Sequence, residues 1–380
     1  MRVAVYLDYV HVRDGVAVYA PRAFSRFVTG MRPAFERLVI AGRVDPSPGT
    51  SHYRLPDDVE FVELPFYASA AGLRQLLRVI GRSLRTWNAA LRNVDAVWVL
   101  GPQGLAVPLA LLALAKRKRV VLGVRQDLRA YAASRHRGRR GVQLAAGTLE
   151  TAFQLIGRFT SVVVVGPALA ERYRKSRALL ALTVSMISKD QLARFEDVER
   201  RWDGDTLRLL SVGRLEQEKN PLLLAYILAN ARRDDPRWRL IVCGEGPLEQ
   251  ALRNRLEELG VADAAEFRGY LSVDGALLDA YRDAHAFLHV SWTEGLPQVL
   301  FEAYAARLPV VATAVGSVAS FTVDAALLAD PGDAGKPAEH LARISRDPLL
   351  RAAMTAAGME IVKRHTLEAE TRRAASFIVG

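Results

Sequence analysis

Trp292-Thr293-Glu294-Gly295-Leu296-Pro297-Gln298-Val299-Leu300-Phe301-Glu302 is the stretch on which the reading of this chain turns. Two glutamates stand eight positions apart, with Gly295 and Pro297 between them. The run before it, Ala286-Phe287-Leu288-His289-Val290, is apolar and reads as a buried strand, whereas Gln298 to Arg307 reads as a helix. Pro297 suits the first helical turn, where its missing N–H would have had no partner. The N–H groups of Leu296, Gln298 and Val299 would then point out of the helix start, where an anion can be held. Glu294 stands just before that point and Glu302 a turn and a half beyond it. An anion site between two carboxylates predicts a ligand that is both anionic and rich in hydroxyls, as a nucleotide sugar is.

The remaining composition frames this site. A chain of 380 residues, half of them hydrophobic, has material for two cores, so two domains of roughly 150 to 200 residues are expected. The single cysteine, Cys243, excludes an internal disulfide framework and sits in the apolar run Leu240-Ile241-Val242-Cys243, as an inert core thiol would. The N-terminal Arg2-Val3-Ala4-Val5-Tyr6-Leu7 is strand-like and carries no secretory signal pattern. The longest apolar stretch, Leu105 to Ala115, is too short to span a bilayer and contains Pro108. A soluble, cytoplasmic protein is expected. The net charge of +11 is uneven: residues 1–190 hold 29 Lys/Arg against 13 Asp/Glu, the remainder 23 against 28. An anionic partner is therefore expected for the first half only.

Strand-like and helix-like segments alternate throughout, which predicts an α/β protein with parallel sheets covered on both faces. One series runs from Arg2–Leu7 to Ser161–Val165, a second from Leu207–Val212 to Ala326–Leu328. The polar stretch Ser188 to Asp205 reads as the linker. This gives a first domain at 1–190 and a second at 206–360, with a terminal helix at about 361–380 that can pack back on the first. Doubly wound sheets bind ligands beyond the C-terminal ends of their strands.

Several strand ends of the second half agree. Leu207–Val212 runs into Gly213-Arg214-Leu215-Glu216-Gln217-Glu218-Lys219-Asn220-Pro221. A Gly at the turn, two cations five residues apart and a Pro opening the next helix are suited to gripping a diphosphate, or else form a solvated polar loop. The glycines of Gly244-Glu245-Gly246-Pro247 permit close backbone approach to a ligand, and a plain tight turn fits them equally. Arg268-Gly269-Tyr270-Leu271 follows the third strand and points weakly to a base pocket.

In order, Ser211-Val212-Gly213-Arg214-Leu215 with Lys219-Asn220-Pro221, Cys243-Gly244-Glu245-Gly246-Pro247, Phe267-Arg268-Gly269, and Glu294 with Gly295-Leu296-Pro297 and Glu302 resemble the C-terminal half of the retaining GT-B glycosyltransferases, the "group 1" or GT4 family. The resemblance covers residues 207 to about 316 and is specific as an ordered set. It implies two doubly wound Rossmann-like domains facing a cleft, and transfer of a sugar from a nucleoside diphosphate with retention and without metal. Arg214 and Lys219 would hold the diphosphate, assisted by the N–H groups after Gly295, including that of Leu296. Gly213, Gly244 and Gly246 would approach the donor, Glu302 would accept from the ribose hydroxyls, and Glu294 would bind the transferred sugar near the reacting carbon. Cations and a helix start stabilise a departing diphosphate on their own, so no cofactor is implied beyond the donor itself. A nucleotide-sugar 2-epimerase of the same architecture, or a non-catalytic sugar-nucleotide or glycan binder, are the rival readings. The four charged residues argue against the last.

The first half departs further from the family pattern. In Asp8-Tyr9-Val10-His11-Val12-Arg13-Asp14-Gly15, Gly15 is the one candidate for backbone approach to phosphate or sugar. Where relatives carry a His, strand Val120–Val124 ends in Arg125-Gln126-Asp127. Asp127 is the candidate to meet a sugar or acceptor hydroxyl, with a helix cap as the competing role. His11, His136, His285 and His289 show no metal-ligand grouping, and Asp203-Gly204-Asp205 sits before a strand, as a turn would. Arg74, Arg78, Arg82 and Arg85 recur on one helix face, with further basic runs at Lys116–Arg119 and Arg135–Arg140. Such a helix either lies on an anionic membrane surface, which would make the protein peripheral and its acceptor a lipid-linked saccharide, or is a solvated face. No aromatic stacking platform accompanies the basic runs, which argues against nucleic acid.

Overall fold

The computed structural model describes residues 1–67, 73–135, 139–194, 200, 202–271 and 275–380. The chain forms two compact units, Met1–Val184 with Leu367–Gly380, and Ser185–Thr366. The passage between them falls before the polar stretch 188–205, because Ser185, Met186 and Ile187 are already buried and Ile187 packs in the core of the second unit.

In the first unit the strands are β1 (Arg2–Asp14), β2 (Ala17–Ala20), β3 (Arg37–Val44), β4 (Tyr53–Arg54), β5 (Glu60–Leu64), β6 (Ala96–Gly101), β7 (Arg119–Val124), β8 (Ser161–Val165) and β9 (Ala178–Leu182). Pairing runs β5-β3-β1-β6-β7-β8-β9, all parallel, with β2 and β4 added antiparallel beside the far end of β1. The central strands are runs of apolar and β-branched residues buried on both faces, as a sheet covered by helices requires. Helix Leu73–Leu91 turns Val79 and Trp87 inward and exposes Arg78, Arg82 and Arg85; the side chain of Arg74 lies outside the described residues. The terminal helix Leu367–Val379 belongs to this unit: Glu370, fully buried, accepts from the Thr183 N–H at 3.2 Å.

The second unit contains β10 (Leu207–Val212), β11 (Trp238–Cys243), β12 (Ala265–Phe267), β13 (Ala286–His289), β14 (Val310–Thr313) and β15 (Ala326–Ala329). Their order, β12-β11-β10-β13-β14-β15, is that of a dinucleotide-binding fold, with every pair parallel. The order reverses between β10 and β13, so the loops after these two strands flank the crevice where such sheets bind ligands. Among the described residues, no helix is long and apolar enough to cross a membrane.

Candidate active site

The loops after β10 and β13 meet through charge. Lys219 Nζ lies 2.5 Å from Glu294 Oε1, Ser291 Oγ donates to the same oxygen at 2.6 Å, and His289 Nε2 stands 3.1 Å from it. Two donors and the edge of a buried imidazole thus converge on one carboxylate oxygen. Ser291 is itself held by the Thr313 hydroxyl, which donates to the Ser291 carbonyl at 2.8 Å from the end of β14. The backbone adds a second tie, since the Trp292 N–H donates to the Glu218 carbonyl at 2.8 Å. Burial alone pushes the Glu294 carboxyl up, but the nearby His289 imidazole and the Lys219 charge outweigh it and hold the group at about 2.

Glu302 has the opposite environment. It lies on helix Gln298–Ala305, is 6% exposed, and accepts from the Tyr281 hydroxyl at 2.7 Å. Burial raises its pKa, and the Tyr281 bond only offsets this in part. Tyr281 belongs to helix Ala276–Asp283. The Arg200 guanidinium donates to the Tyr281, Ala284, Ala306 and Arg307 carbonyls, so one cation closes the C-terminal ends of both helices. The two glutamates of the opening motif are therefore chemically unlike: one is anchored beside the Lys219 cation, the other sunk in the core against a phenol.

The remaining expected residues separate. Arg214 is paired with Glu216 and, at 3.0 Å, with Glu218 of its own loop. Both ion pairs are solvated, and pairs of that kind hold a side chain by about 0–1 kcal/mol, so the guanidinium is available to a stronger anion. Gly213 and Gly295 have open space where a Cβ would stand, as approach by a ligand needs. Gly244 and Gly246 are bare for a reason within the fold. A Cβ on Gly244 would lie 1.9 Å from the Gly213 carbonyl oxygen, and one on Gly246 2.5 Å from that of Leu215. Their bareness lets the two loops lie backbone to backbone, laced by Gly213 N–H to the Cys243 carbonyl and Leu215 N–H to that of Glu245. Leu296 is half-buried between Gly295 and the Pro297 that precedes the helix, against the core beneath.

In the first unit Gly15 and Asp127 both have places in the framework of the fold. Gly15 does not follow a strand into a helix. β1 continues to Asp14, and Gly15 with Val16 forms the two-residue turn to β2, Gly15 taking φ +57° at the first central position. Asp127 caps the following helix: one oxygen accepts from the Ala130 N–H at 3.0 Å and the other pairs with Arg172 at 2.7 Å. Arg125 stacks on Phe24 and meets the Tyr9 hydroxyl. Cys243 is buried, which pushes its thiol up to about 11. Gly204 and Trp202 offer their carbonyls to Arg237, a turn anchored to the second unit. Among the described residues, no group of three His, Cys, Asp or Glu is placed to hold a metal ion. Of the site's residues, His289 and Ser291 escaped sequence reasoning. The signal was one polar side chain at the end of an otherwise apolar strand.

Comparison with known proteins agrees with this geometry. Residues 194–360 match the family model "Glycosyl transferases group 1". The chain is 36% identical over 166 residues to D-inositol 3-phosphate glycosyltransferase of Frankia alni, 40% of each protein. It is 31% identical over 170 residues to O-antigen chain mannosyltransferase B of Escherichia coli, 44% of this chain and 43% of that one. The matches thus span less than half of these relatives' own lengths. Across the whole chain the fold follows that of the Anabaena HepE protein solved with UDP and glucose: TM-score 0.68, 100% of both chains, 14% identity. Both units are therefore folded as the Rossmann-like pair of a GT-B glycosyltransferase. What the chain shares with the group 1 glycosyl transferases is thus the stretch 194–360, which carries the loops after β10 and β13 and the Glu294 site.

Proposed function

We propose that the protein transfers a sugar from a nucleoside-diphosphate sugar to a saccharide or lipid-linked acceptor in the synthesis of a surface polysaccharide or glycolipid. The observation that carries this reading is the convergence of Lys219, His289 and Ser291 on Glu294 Oε1. It presents an ionised carboxylate and a cation together at the switch point of the sheet. The carboxylate accepts from hydroxyls of the transferred sugar; Lys219, Arg214 and the start of helix Gln298–Ala305 take up the charge of the departing diphosphate without metal. Glu302 serves the ribose side, its acceptor strength tempered by Tyr281. In a transfer with retention, the bond from the sugar carbon to the phosphate oxygen breaks on the face where the acceptor oxygen bonds. The acceptor's proton passes to the leaving phosphate.

The relatives support the substrate class by their printed activities on glycosyl and mannosyl transfer, and the fold neighbour by its UDP and glucose. UDP-hexoses and GDP-mannose are therefore the first donors to screen. The exposed face formed by Arg78, Arg82 and Arg85 supports a peripheral association with anionic lipid on the cytoplasmic side. A donor at about a hundredfold its Kd raises stability by about 2.7 kcal/mol, so a thermal-shift screen identifies it before any acceptor is known. Release of nucleoside diphosphate on adding saccharide acceptors then completes the test. A protein that no nucleotide sugar stabilises contradicts the proposal, and donor epimerised without acceptor replaces it with 2-epimerase chemistry.

A further inference from the structure

The chain has five tryptophans, and four of them are at least partly buried: Trp87, Trp98 and Trp238 are in the cores, and Trp202 is half-buried. Trp292 is 49% exposed, two residues before Glu294. A ring of this size left in water costs the fold apolar burial, so its support matters. Its indole lies on Gly332 in the loop after β15, where a Cβ would come within 2.7 Å of the ring; Gly332 has φ +86°. Its own N–H is bound to the Glu218 carbonyl, beside Lys219. The ring is therefore seated on bare backbone from one strand-end loop and tied by its main chain to another, with part of its surface in solvent.

We propose that Trp292 is a sugar-binding platform: its exposed indole packs against the apolar C–H face of a hexose ring whose hydroxyls reach Glu294. A hexose has one face of axial C–H bonds and an equatorial rim of hydroxyls. An exposed aromatic ring and a carboxylate two residues apart in one loop supply a partner for each. The hexose is either the sugar on the donor or the terminal sugar of the acceptor, and the two sources are separable. The inference rests on the reading of the Glu294 site as a sugar-transfer site.

The test is shielding of Trp292 from iodide quenching in the full chain, with the Trp292→Phe variant used to subtract the other four tryptophans. UDP and GDP alone leave the Trp292 signal accessible. UDP-glucose or GDP-mannose shields it if the platform holds the donor sugar; methyl α-glucoside or methyl α-mannoside added with UDP or GDP shields it if the platform holds the acceptor. Calorimetry supplies the second readout. Trp292→Ala weakens the sugar-bearing probe by about tenfold while the Kd of the bare nucleoside diphosphate stays within about twofold, and Trp292→Phe recovers most of the loss. A nucleotide sugar that binds with no shielding and with equal affinity to Trp292→Ala, with no shielding by the hexosides either, overturns the platform and leaves the transfer reading standing. A wild-type protein that binds no nucleotide or sugar overturns both.

Discussion

Lys219 and Glu294, 75 residues apart in sequence, meet as an ion pair at 2.5 Å and join the loops that follow β10 and β13. The contact spans the point where the strand order reverses. Glu294 is 9% and Lys219 25% exposed, so the pair is screened less than a surface bridge. When a diphosphate arrives, Lys219 can lean on it while His289 and Ser291 keep Glu294 in place.

Removing Lys219 leaves a nearly buried carboxylate with fewer donors. Lys219→Ala is expected to destabilise the second unit by about 2 kcal/mol in urea unfolding. Because the residues share one contact, Lys219→Ala with Glu294→Gln should cost less than the two single changes added together. Additive losses would show that the pair does not act as a unit.

The two glutamates should leave opposite marks on stability against pH. Glu294 is lowered from 4.5 to about 2, so its contribution is present above pH 4.5 and lost as pH falls toward 2. Glu302 is raised, so its contribution is present below 4.5 and lost as pH rises through its folded value. Relative to wild type, Glu294→Gln therefore loses most stability at neutral pH and converges on wild type in acid. Glu302→Gln instead gains on wild type as pH rises. Parallel curves for both variants would refute the assigned environments.

Gly316 and Gly295 form a matched pair around Glu294. A Cβ on Gly316, which has φ +54°, would stand 1.9 Å from the Glu294 carbonyl oxygen, whereas Gly295 faces open space. Gly316→Ala is expected to destabilise by about 3 kcal/mol or more and to abolish donor binding, whereas Gly295→Ala should stay within about 1 kcal/mol of wild type. Thermal unfolding and calorimetry on the two proteins decide it.

Tyr281→Phe removes the partner of a buried carboxyl. The expected cost is about 1–3 kcal/mol, with weaker binding of nucleoside diphosphate because Glu302 is no longer oriented. Tyr281→Phe with unchanged stability and unchanged affinity would disconnect the pair from the site.

Much of this was legible in the chain. Apolar strands followed by Gly213-Arg214, Gly244-Glu245-Gly246 and Glu294-Gly295 mark the C-terminal edge of a doubly wound sheet because period and turn chemistry are local properties. What escaped was set by distant backbone. Gly244 and Gly246 are bare to accommodate Gly213 and Leu215, and only the packed loops show that. The apolar run ends at Leu7, but pairing with β2 and β3 carries β1 on to Asp14, so Gly15 lies in a hairpin turn. The Arg172 that pairs with Asp127 comes from 45 residues further along the chain, where no local pattern announces it. His289 looked like part of a core strand, and so it is; its neighbour Glu294 arrives from the following loop.

The most direct test is the rate of nucleoside diphosphate release from the donor that stabilises the protein, compared between wild type, Lys219→Ala and Glu294→Gln at saturating donor and acceptor. Folded variants that each lose about tenfold or more, roughly 1.4 kcal/mol of transition-state stabilisation, fit a diphosphate grip and a sugar-holding carboxylate at this site. Near-normal turnover in both would contradict it.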